Sequence, residues 1–332
     1  MLQFICLIIS LVSARNPFIT AFVNSIKTTW TATNYERWNE KSDGFYSKYF
    51  NVIVDHSEPV EYKYHEKLEN LPPSFSAQEK WPGCPSIELI PDQGNCGSCW
   101  AVSAASTMSD RLCIASGQTD KRQISAEDLL SCCGINCELD GNGGCDGGYP
   151  YGAWKYLRVD GIVTGGTYND FSLCKPYSFP PCSHGNDSGK YSKCENDFFM
   201  LTEVTPSCTK KCHPQFSRTY DVDKIRSREN PYKLIKDQEQ IKNEIYLNGP
   251  VQAVFTVFDD FLNYKSGVYQ QTTGQRRGKH AVKIIGWGTE NGVPYWEAIN
   301  SWNDGWGING KFKILRGFNH LDIEGEVYAS II

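Results

Sequence analysis

Residues 93–100, Gln-Gly-Asn-Cys-Gly-Ser-Cys-Trp, constrain the fold more than any other stretch of this chain. Gly94 and Gly97 permit a tight turn, and the Ala-rich residues that follow Trp100 predict a buried helix directly after it. Cys99 would then lie at a helix N-terminus, where unpaired N–H groups and the helix dipole favour the thiolate form of a cysteine. We therefore expect Cys99 to be a nucleophile.

The length and charge of the chain indicate a globular protein. The chain has 332 residues and a formal net charge of -5. This length can bury a large core, and the acidic balance argues against a nucleic-acid partner. Residues 2–12 form an apolar run that ends in a small-x-small pattern, which predicts a signal peptide over residues 1–14. No later run reaches the roughly 20 apolar residues of a membrane span.

Fourteen cysteines indicate a disulfide-linked chain. Without Cys6 in the signal peptide and the nucleophile Cys99, twelve remain, and these can form six disulfides in the secretory pathway. The spacing Cys96-x-x-Cys99 and the three cysteines within residues 132–137 could instead supply zinc ligands. Because the compartment is oxidising and no Cys-x-x-Cys knuckle is repeated, we expect neither a metal nor a cofactor.

Changes in composition divide the chain into a leading segment and a mature segment. Residues 15–70 contain no cysteine and lie between the signal peptide and the Cys99 motif, which predicts a removable inhibitory propeptide. A small N-terminal subdomain is the alternative. The two prolines after Leu71 resist helix and favour an extended start of the mature chain, residues 71–332.

The mature segment passes from helix-forming to strand-forming patterns. We expect a mainly helical half over about residues 84–165, an irregular insertion over about 174–212, and a mainly β half over about 235–332. The predicted helices follow Cys99, Ser125, Tyr151 and Ile235. Helices followed by strands predict an α+β fold with a cleft between the two halves.

Cys99 needs a base that takes its proton and a third group that orients this base. His280 begins an apolar strand and Asn300 begins an Asn-Ser-Trp motif, so we expect these two residues to serve as base and orienter. Trp302 would shield their hydrogen bond from water. Gln93, six residues before Cys99, can donate an amide N–H to an oxyanion.

These motifs resemble those of the papain-like cysteine peptidases, and of their cathepsin B group in particular. The resemblance covers nearly the whole chain, from residues 28–30 in the propeptide to residues 286–288. It implies a two-domain fold, with a helical left half and a β-barrel-like right half on either side of the active-site cleft. Cys99 and His280 are farther apart than in papain relatives, and the insertion, which would hold an occluding loop, accounts for the excess.

The resemblance also implies roles for single residues. Cys99, His280, Asn300 and Gln93 would be catalytic. The substrate-binding residues would be Gly147, Gly148, Tyr149, Pro150, Ala281, Trp302, Glu326 and His184. The disulfides would be Cys84–Cys113, Cys96–Cys145, Cys132–Cys208, Cys133–Cys137, Cys174–Cys212 and Cys182–Cys194. Glu326 would lie at the bottom of S2, the pocket for the second residue (P2) before the scissile bond, and Glu326→Ala would selectively impair substrates with a P2 arginine.

The occluding loop, residues 182–194, departs from the family pattern. In the family, two adjacent histidines hold a substrate's C-terminal carboxylate, whereas this chain has His184 followed by Gly185. Asp187 would repel the carboxylate, and Asn186 begins a glycosylation sequon. We therefore expect weak release of dipeptides and dominant endopeptidase activity. On this argument, Gly185→His should restore a preference for free C-terminal acids.

Two ion pairs could hold the occluding loop over the cleft. His184 could pair with Asp92 while the histidine is protonated. The second pair is expected to be weaker, because Asp304 is shifted by one position from the family pattern and only Lys190 is available as its partner.

The sequence thus predicts a peptidase made as a zymogen, lysosomal or extracellular, that acts on peptides and proteins. Its own propeptide and cystatin-like inhibitors would be its protein partners. A catalytically inactive homologue that binds peptides or inhibitors is the main alternative, but Cys99, His280 and Asn300 are all present. A disulfide-rich structural protein is a further alternative, which does not account for Gln93 or the Asn300 motif.

Overall fold

The computed structural model describes residues 15–39, 41–138, 143–194 and 202–332. The expected signal peptide, residues 1–14, lies outside this range. Among the described residues, no helix combines the length and the apolar character that crossing a membrane requires.

The helices have the bounds α1 Arg15–Ser25, α2 Asp43–Tyr49, α3 Ala77–Lys80, α4 Cys99–Ala115, α5 Ala126–Cys132, α6 Pro150–Val159, α7 Tyr220–Asp223 and α8 Gln238–Asn248. Helix α4 forms the centre of the helical half, where α5 and α6 pack against it through one apolar core. The Ser125 hydroxyl caps α5 by accepting a hydrogen bond from Asp128 N at 3.0 Å, as the sequence predicted. Pro150 begins α6, where its missing N–H removes no helical hydrogen bond.

The strands have the bounds β1 Trp30–Ala32, β2 Tyr62–Lys63, β3 Phe75–Ser76, β4 Tyr232–Leu234, β5 Val251–Phe258, β6 Tyr264–Tyr269, β7 Arg276–Glu290, β8 Val293–Ile299, β9 Lys311–Leu315 and β10 Val327–Ala329. They form one sheet in the order β1-β6-β9-β8-β7-β5-β10-β4-β2, and β3 also pairs with β7. The α+β class is confirmed, but the sheet is not the closed barrel that a barrel-like half would suggest. Its two outer strands, β1 and β2, come from residues 15–70, so this segment covers both edges of the sheet.

The structure differs from the sequence prediction around Ile235. The expected helix starts later, at Gln238, because the Asp237 side chain caps it by accepting a hydrogen bond from Glu239 N at 2.7 Å. Residues just before this cap form strand β4, which the sequence analysis did not predict. This strand is only three residues long, and its pairing with β10 and β2 depends on distant parts of the chain.

Six disulfides link the described cysteines. The pairs are Cys84–Cys113, Cys96–Cys145, Cys132–Cys208, Cys133–Cys137, Cys174–Cys212 and Cys182–Cys194. These are the same six pairs that the family resemblance implied. Among the described residues, Cys99 is the one cysteine outside these bonds.

Buried polar contacts fix helix α4 against the sheet. The Gln252 side chain, on β5, donates to Trp100 O at 2.8 Å and accepts from Trp154 Nε1 at 2.8 Å. Lys283, on β7, pairs with Asp110 of α4 at 2.7 Å, and both side chains are almost completely buried. Because α4 and β7 are joined in this way, a residue at the start of α4 has a defined position relative to β7.

Candidate active site

Cys99 is the first residue of helix α4 and is fully buried. The preceding turn uses Gly94 in the left-handed region, at φ 64°, where glycine is favoured. The backbone N–H of Ala281, on strand β7, is near enough to the Cys99 sulfur to lower the pKa of the thiol. The nucleophile of the helical half therefore meets the sheet half at the residue that follows His280.

His280 and Asn300 form the hydrogen bond that the sequence predicted between base and orienter. His280 Nε2 and Asn300 Oδ1 are 2.8 Å apart, and both residues are buried. Asn300 Oδ1 also accepts from Ser301 N at 2.8 Å, which fixes the carboxamide. Within the described part of the chain, His280 Nδ1 makes no hydrogen bond and so remains available to take a proton from Cys99.

Trp302 covers the imidazole of His280. The two rings stack with a centroid distance of 5.0 Å, and Trp302 is fully buried. An indole in this position excludes water from the hydrogen bond between His280 and Asn300, as the sequence analysis expected. The proposed role of Trp302 is thus protection of the base.

Burial keeps both members of the Cys99–His280 pair neutral in this form of the chain. It raises the pKa of the Cys99 thiol to about 12, although the N–H groups of Ala281, Trp100 and Cys99 act in the opposite direction. Burial also lowers the pKa of His280 to about 4, although the hydrogen bond with Asn300 opposes this shift. In this form of the chain, loss of solvent raises the pKa of the thiol more than the neighbouring N–H groups lower it, so the thiolate expected for the enzyme stays a prediction for the processed form.

Gln93 is fully buried and its carboxamide is held on both sides. Its Oε1 accepts from Ser301 Oγ at 2.5 Å, and its Nε2 donates to Cys96 O at 2.8 Å. An amide nitrogen carries two N–H groups, so one donor remains after the bond to Cys96. The arrangement agrees with the expected contribution of Gln93 to an oxyanion site.

Residues 50–53 of the leading segment occupy the cleft between the two halves. On the helical side, Gly148 N donates to Asn51 O at 3.1 Å, and Ile53 N donates to Gly148 O at 2.9 Å. On the sheet side, Lys279 N donates to Phe50 O at 2.8 Å. The leading segment therefore takes backbone hydrogen bonds on both sides of the cleft, next to Cys99 and His280.

Glycines on both sides allow this close approach. A Cβ atom at Gly147, which has φ 121°, would lie 2.1 Å from Asn51 O. A Cβ atom at Gly278, which has φ 143°, would lie 2.4 Å from Phe50 O. Any larger residue at either position would push the segment out of the cleft.

The other predicted substrate-binding residues of the helical half lie at the start of α6. The pKa of Tyr149 is raised by burial and by the neighbouring carboxylate of Glu58, which belongs to the leading segment. Glu58 also pairs with Lys155. Pro150 is the first helical residue, and its observed role is to begin α6.

Glu326 is buried and is paired with residues that the sequence analysis missed. Its Oε2 accepts from Lys233 Nζ at 2.9 Å and from the hydroxyl of Tyr328. His56 Nδ1, in the leading segment, is 3.9 Å from Glu326 Oε1, so this carboxylate lies close to the occupied cleft. The placement of Glu326 in S2 stays a prediction, and the structure adds that its carboxylate already has a cationic partner.

The first anchor of the occluding loop is buried. His184 is completely inaccessible to solvent, and its Nε2 is 2.8 Å from Asp92 Oδ1. Asn303 Nδ2 and Cys182 N donate to the other oxygen of Asp92, at 2.8 and 3.0 Å. His184 therefore holds the loop in place and is not exposed to a substrate carboxylate in this structure, contrary to its expected substrate-binding role.

The second anchor, expected to be weak, is formed at the surface. Lys190 Nζ is 2.5 Å from Asp304 Oδ2, and Tyr191, which the sequence analysis missed, donates its hydroxyl to Asp304 Oδ1 at 2.9 Å. Gly185 packs on the backbone beside this anchor, since a Cβ atom there would lie 2.1 Å from Gly305 O. Replacement of Gly185 by histidine would displace the loop, so this substitution is no longer expected to restore a carboxylate site.

All the cysteines considered as zinc ligands except Cys99 are in disulfides. Cys182, His184 and Cys194 lie close enough together to resemble a metal site, with their ligand atoms within 4.8 Å of one another. The bond between Cys182 and Cys194 removes the thiolates that would bind zinc. Cys96 is likewise bonded, to Cys145.

Comparison with known proteins assigns the family. Residues 71–331 match the papain family cysteine proteases. The chain belongs to this family. The papain-like fold expected from the sequence is confirmed, and the protein is a cysteine peptidase.

The similar proteins include cathepsin B-like enzymes. The chain is 42% identical over 327 residues to cathepsin B-like cysteine proteinase 4 of Caenorhabditis elegans, covering 98% of this chain and 95% of the relative. It is 42% identical over 284 residues to cathepsin B-like cysteine proteinase 1 of Haemonchus contortus, covering 82% and 80% of the two chains. Procathepsin B S9 from Trypanosoma congolense has a TM-score of 0.78 at 34% identity, covering 96% of this chain and 98% of that chain. The similarity to a procathepsin agrees with the predicted zymogen.

Proposed function

We propose that residues 15–70 inhibit a peptidase formed by residues 71–332, and that cleavage near Glu69 to Leu71 activates it. The observation that carries this proposal is the occupation of the cleft by residues 50–53, which bond to Gly148 and Lys279 beside the buried Cys99. Glu69 lies in an exposed turn, which is accessible to a processing peptidase.

In the processed enzyme, Cys99 Sγ attacks the substrate carbonyl while His280 Nδ1 takes the thiol proton. Asn300 Oδ1 accepts from His280 Nε2–H and so holds the imidazole in the productive tautomer and orientation. The N–H groups of Gln93 and of the Cys99 backbone stabilise the oxyanion. The imidazolium then protonates the leaving amine, and water, deprotonated by His280, hydrolyses the thioester.

Removal of the leading segment would also change the charge state of the pair. The pKa of Cys99 is raised and that of His280 is lowered chiefly by burial. Because water reaches the cleft once residues 50–53 leave, both shifts should decrease, and the ion pair of thiolate and imidazolium becomes accessible. Inhibition thus combines blocked access with an unreactive thiol.

The test compares the processed protein with a precursor in which residues 69–71 resist cleavage. We expect the processed form to hydrolyse a Phe-Arg fluorogenic peptide at mildly acidic pH and the precursor to be inactive. Alkylation at Cys99 should abolish the activity of the processed form. Full activity of the uncleaved precursor would refute the inhibitory role of residues 15–70.

We further propose that endopeptidase activity dominates over dipeptide release. His184 is buried against Asp92, Gly185 offers no cation, and Asp187 would repel a carboxylate. The test compares a substrate that has a free C-terminal carboxylate with its amidated twin. Similar kcat/KM values for the two are expected, and a strong preference for the free acid would contradict the proposal.

The compartment and the protein partners are part of the same proposal. Six disulfides suit the secretory pathway and a lysosomal or extracellular destination. The cleft would bind peptide and protein substrates and cystatin-like inhibitors after activation. Asn186 is exposed, so a glycan on this residue would point away from the protein.

A further inference from the structure

Beside Gly148 the leading segment contacts a cluster of buried apolar side chains, and an ion pair adjoins this cluster. Val52, held next to Gly148, belongs to the same cluster of buried apolar side chains as Val254, Ala281 and Tyr328. The Tyr328 hydroxyl donates to Glu326, so the apolar cluster leads directly to this carboxylate. The surface that the leading segment covers thus includes one buried acidic group.

The register of two strands brings Lys233 to this acidic group. Lys233 of β4 is directly opposite Tyr328 of β10 in an antiparallel pair. Directly paired residues point to the same face of a sheet, and so does a residue two positions away along a strand. Glu326 lies just before β10, and its carboxylate accepts hydrogen bonds from both Lys233 and Tyr328. Lys233 Nζ lies 2.9 Å from Glu326 Oε2, and the two side chains are only 11% and 4% exposed.

We propose that Lys233 is a specificity-determining residue that removes the preference of the S2 pocket for a P2 arginine. The inference rests on the proposed function and on the expectation that Glu326 lies at the bottom of S2. Lys233 already neutralises Glu326, so a P2 guanidinium would compete with the ammonium group for one carboxylate. One of two cations in a largely buried pocket would then lack a partner, which is unfavourable. An apolar P2 side chain needs no such partner.

A purely structural role of the Lys233–Glu326 pair makes a different prediction. In that case the pair would only join β4 to β10, and its removal would lower stability without changing the ratio between two substrates. The discriminating quantity is therefore the ratio of kcat/KM values for P2 arginine and P2 citrulline. Citrulline has nearly the shape of arginine but carries no charge.

The experiment uses the processed enzyme and its Lys233→Met variant. For the unchanged enzyme we expect kcat/KM for P2 arginine to be within about threefold of that for P2 citrulline. Lys233→Met keeps the aliphatic bulk and leaves Glu326 to the substrate, so the preference for arginine should rise about tenfold or more, as a charge-assisted hydrogen bond allows. Lys236→Met is the matched control, because Lys236 is exposed and close in sequence.

Two further measurements make the outcome decisive. The increased preference for P2 arginine should disappear in the double variant Lys233→Met/Glu326→Gln, which removes the carboxylate as well. A preference of the unchanged enzyme for P2 arginine of about tenfold or more would overturn the inference even if the variant does not fold. An unchanged ratio in a folded Lys233→Met enzyme would also overturn it. If the unchanged processed enzyme cleaved no peptide at all, this result would instead refute the proposed function, and this inference with it.

Discussion

The centre of the cleft and the occluding loop at its rim are held in place by different means. Cys99, His280 and Asn300 are at most 1% exposed, and they lie on or beside regular elements that buried contacts fix to each other. The described parts of the insertion, residues 174–212, form no helix and no strand longer than a single bridge. Disulfides and the His184 and Lys190 ion pairs hold this region instead.

This difference predicts which substitutions slow the chemical step and which change substrate choice or stability. At the centre, each side chain has a proposed role in the chemistry, and neighbouring backbone fixes its position. At the rim, a side chain acts by holding a segment over the cleft, so its loss should change substrate choice and stability rather than the chemical step. The following substitutions test this contrast, from the largest expected effect to the smallest.

Cys99→Ala should reduce kcat/KM of the processed enzyme by more than about a thousandfold, because the nucleophile is removed. Mass mapping after alkylation checks the same assignment. Cys99 should be the one modified cysteine among residues 71–332, since the other twelve are in disulfides. Substantial turnover by the alanine variant would show that another group attacks the substrate.

Asn300→Ala should lower kcat by about 10- to 100-fold with little change in KM, because the imidazole loses a hydrogen bond that strengthens as it becomes charged. The matched control is Asn303→Ala, three residues along the chain. Asn303 bonds to Asp92 and to Cys182 O at the rim, so its loss should leave kcat within about threefold. Equal losses of kcat in the two variants would remove the distinction between centre and rim.

The centre could be predicted from the sequence because its determinants are local. The turn before Cys99, the Ala-rich helix after it and the Ser125 cap are all set by neighbouring residues. His280 and Asn300 were predicted from the motifs that each of them begins, and the family resemblance implied all six disulfide pairs.

The missed features depend on residues far apart in the sequence. Lys233 meets Glu326 only because β4 pairs with β10, and three residues give too short a pattern to predict a strand. Gly185 has no room for a side chain because Gly305 lies against it, which no local pattern indicates. The raised pKa of Cys99 follows from its burial in the folded chain, an effect opposite to that of its helix position.

His184→Ala should destabilise the processed enzyme by about 1–3 kcal/mol, because Asp92 loses its charged partner in a buried site. Urea unfolding at mildly acidic pH measures this loss. The kcat for the amidated peptide should change by less than about threefold, since the centre is untouched. A loss of kcat as large as that in Asn300→Ala would contradict the assignment of His184 to the rim.

The same anchor should show a defined pH dependence. Burial alone would raise the pKa of Asp92, but the charge of His184 and hydrogen bonds from His184, Asn303 and Gly94 outweigh burial and lower that pKa. Because its pKa is lowered by folding, ionised Asp92 stabilises the folded chain at pH values above the pKa of unfolded aspartate, about 3.9. This contribution to the free energy of unfolding is lost as the pH falls through the pKa of Asp92 in the folded chain. The free energy of unfolding should therefore increase less between strongly acidic pH and about pH 5 in the His184→Ala variant than in the unchanged enzyme.

Lys190→Ala should have the smallest effect, although the pair with Asp304 is as close as that of His184 with Asp92. The side chains of Lys190 and Asp304 are 55% and 45% exposed, so water and salt screen their attraction. The Tyr191 hydroxyl also bonds to Asp304 and should keep the loop in place without the lysine. We expect unchanged urea unfolding, and a kcat/KM ratio for free-acid and amidated substrates within about twofold of the unchanged enzyme, at both low and high salt. The double variant Lys190→Ala/Tyr191→Phe removes the whole surface anchor. If this double variant changes the kcat/KM ratio for free-acid and amidated substrates more than His184→Ala does, then the exposed anchor, and not the buried one, holds the loop.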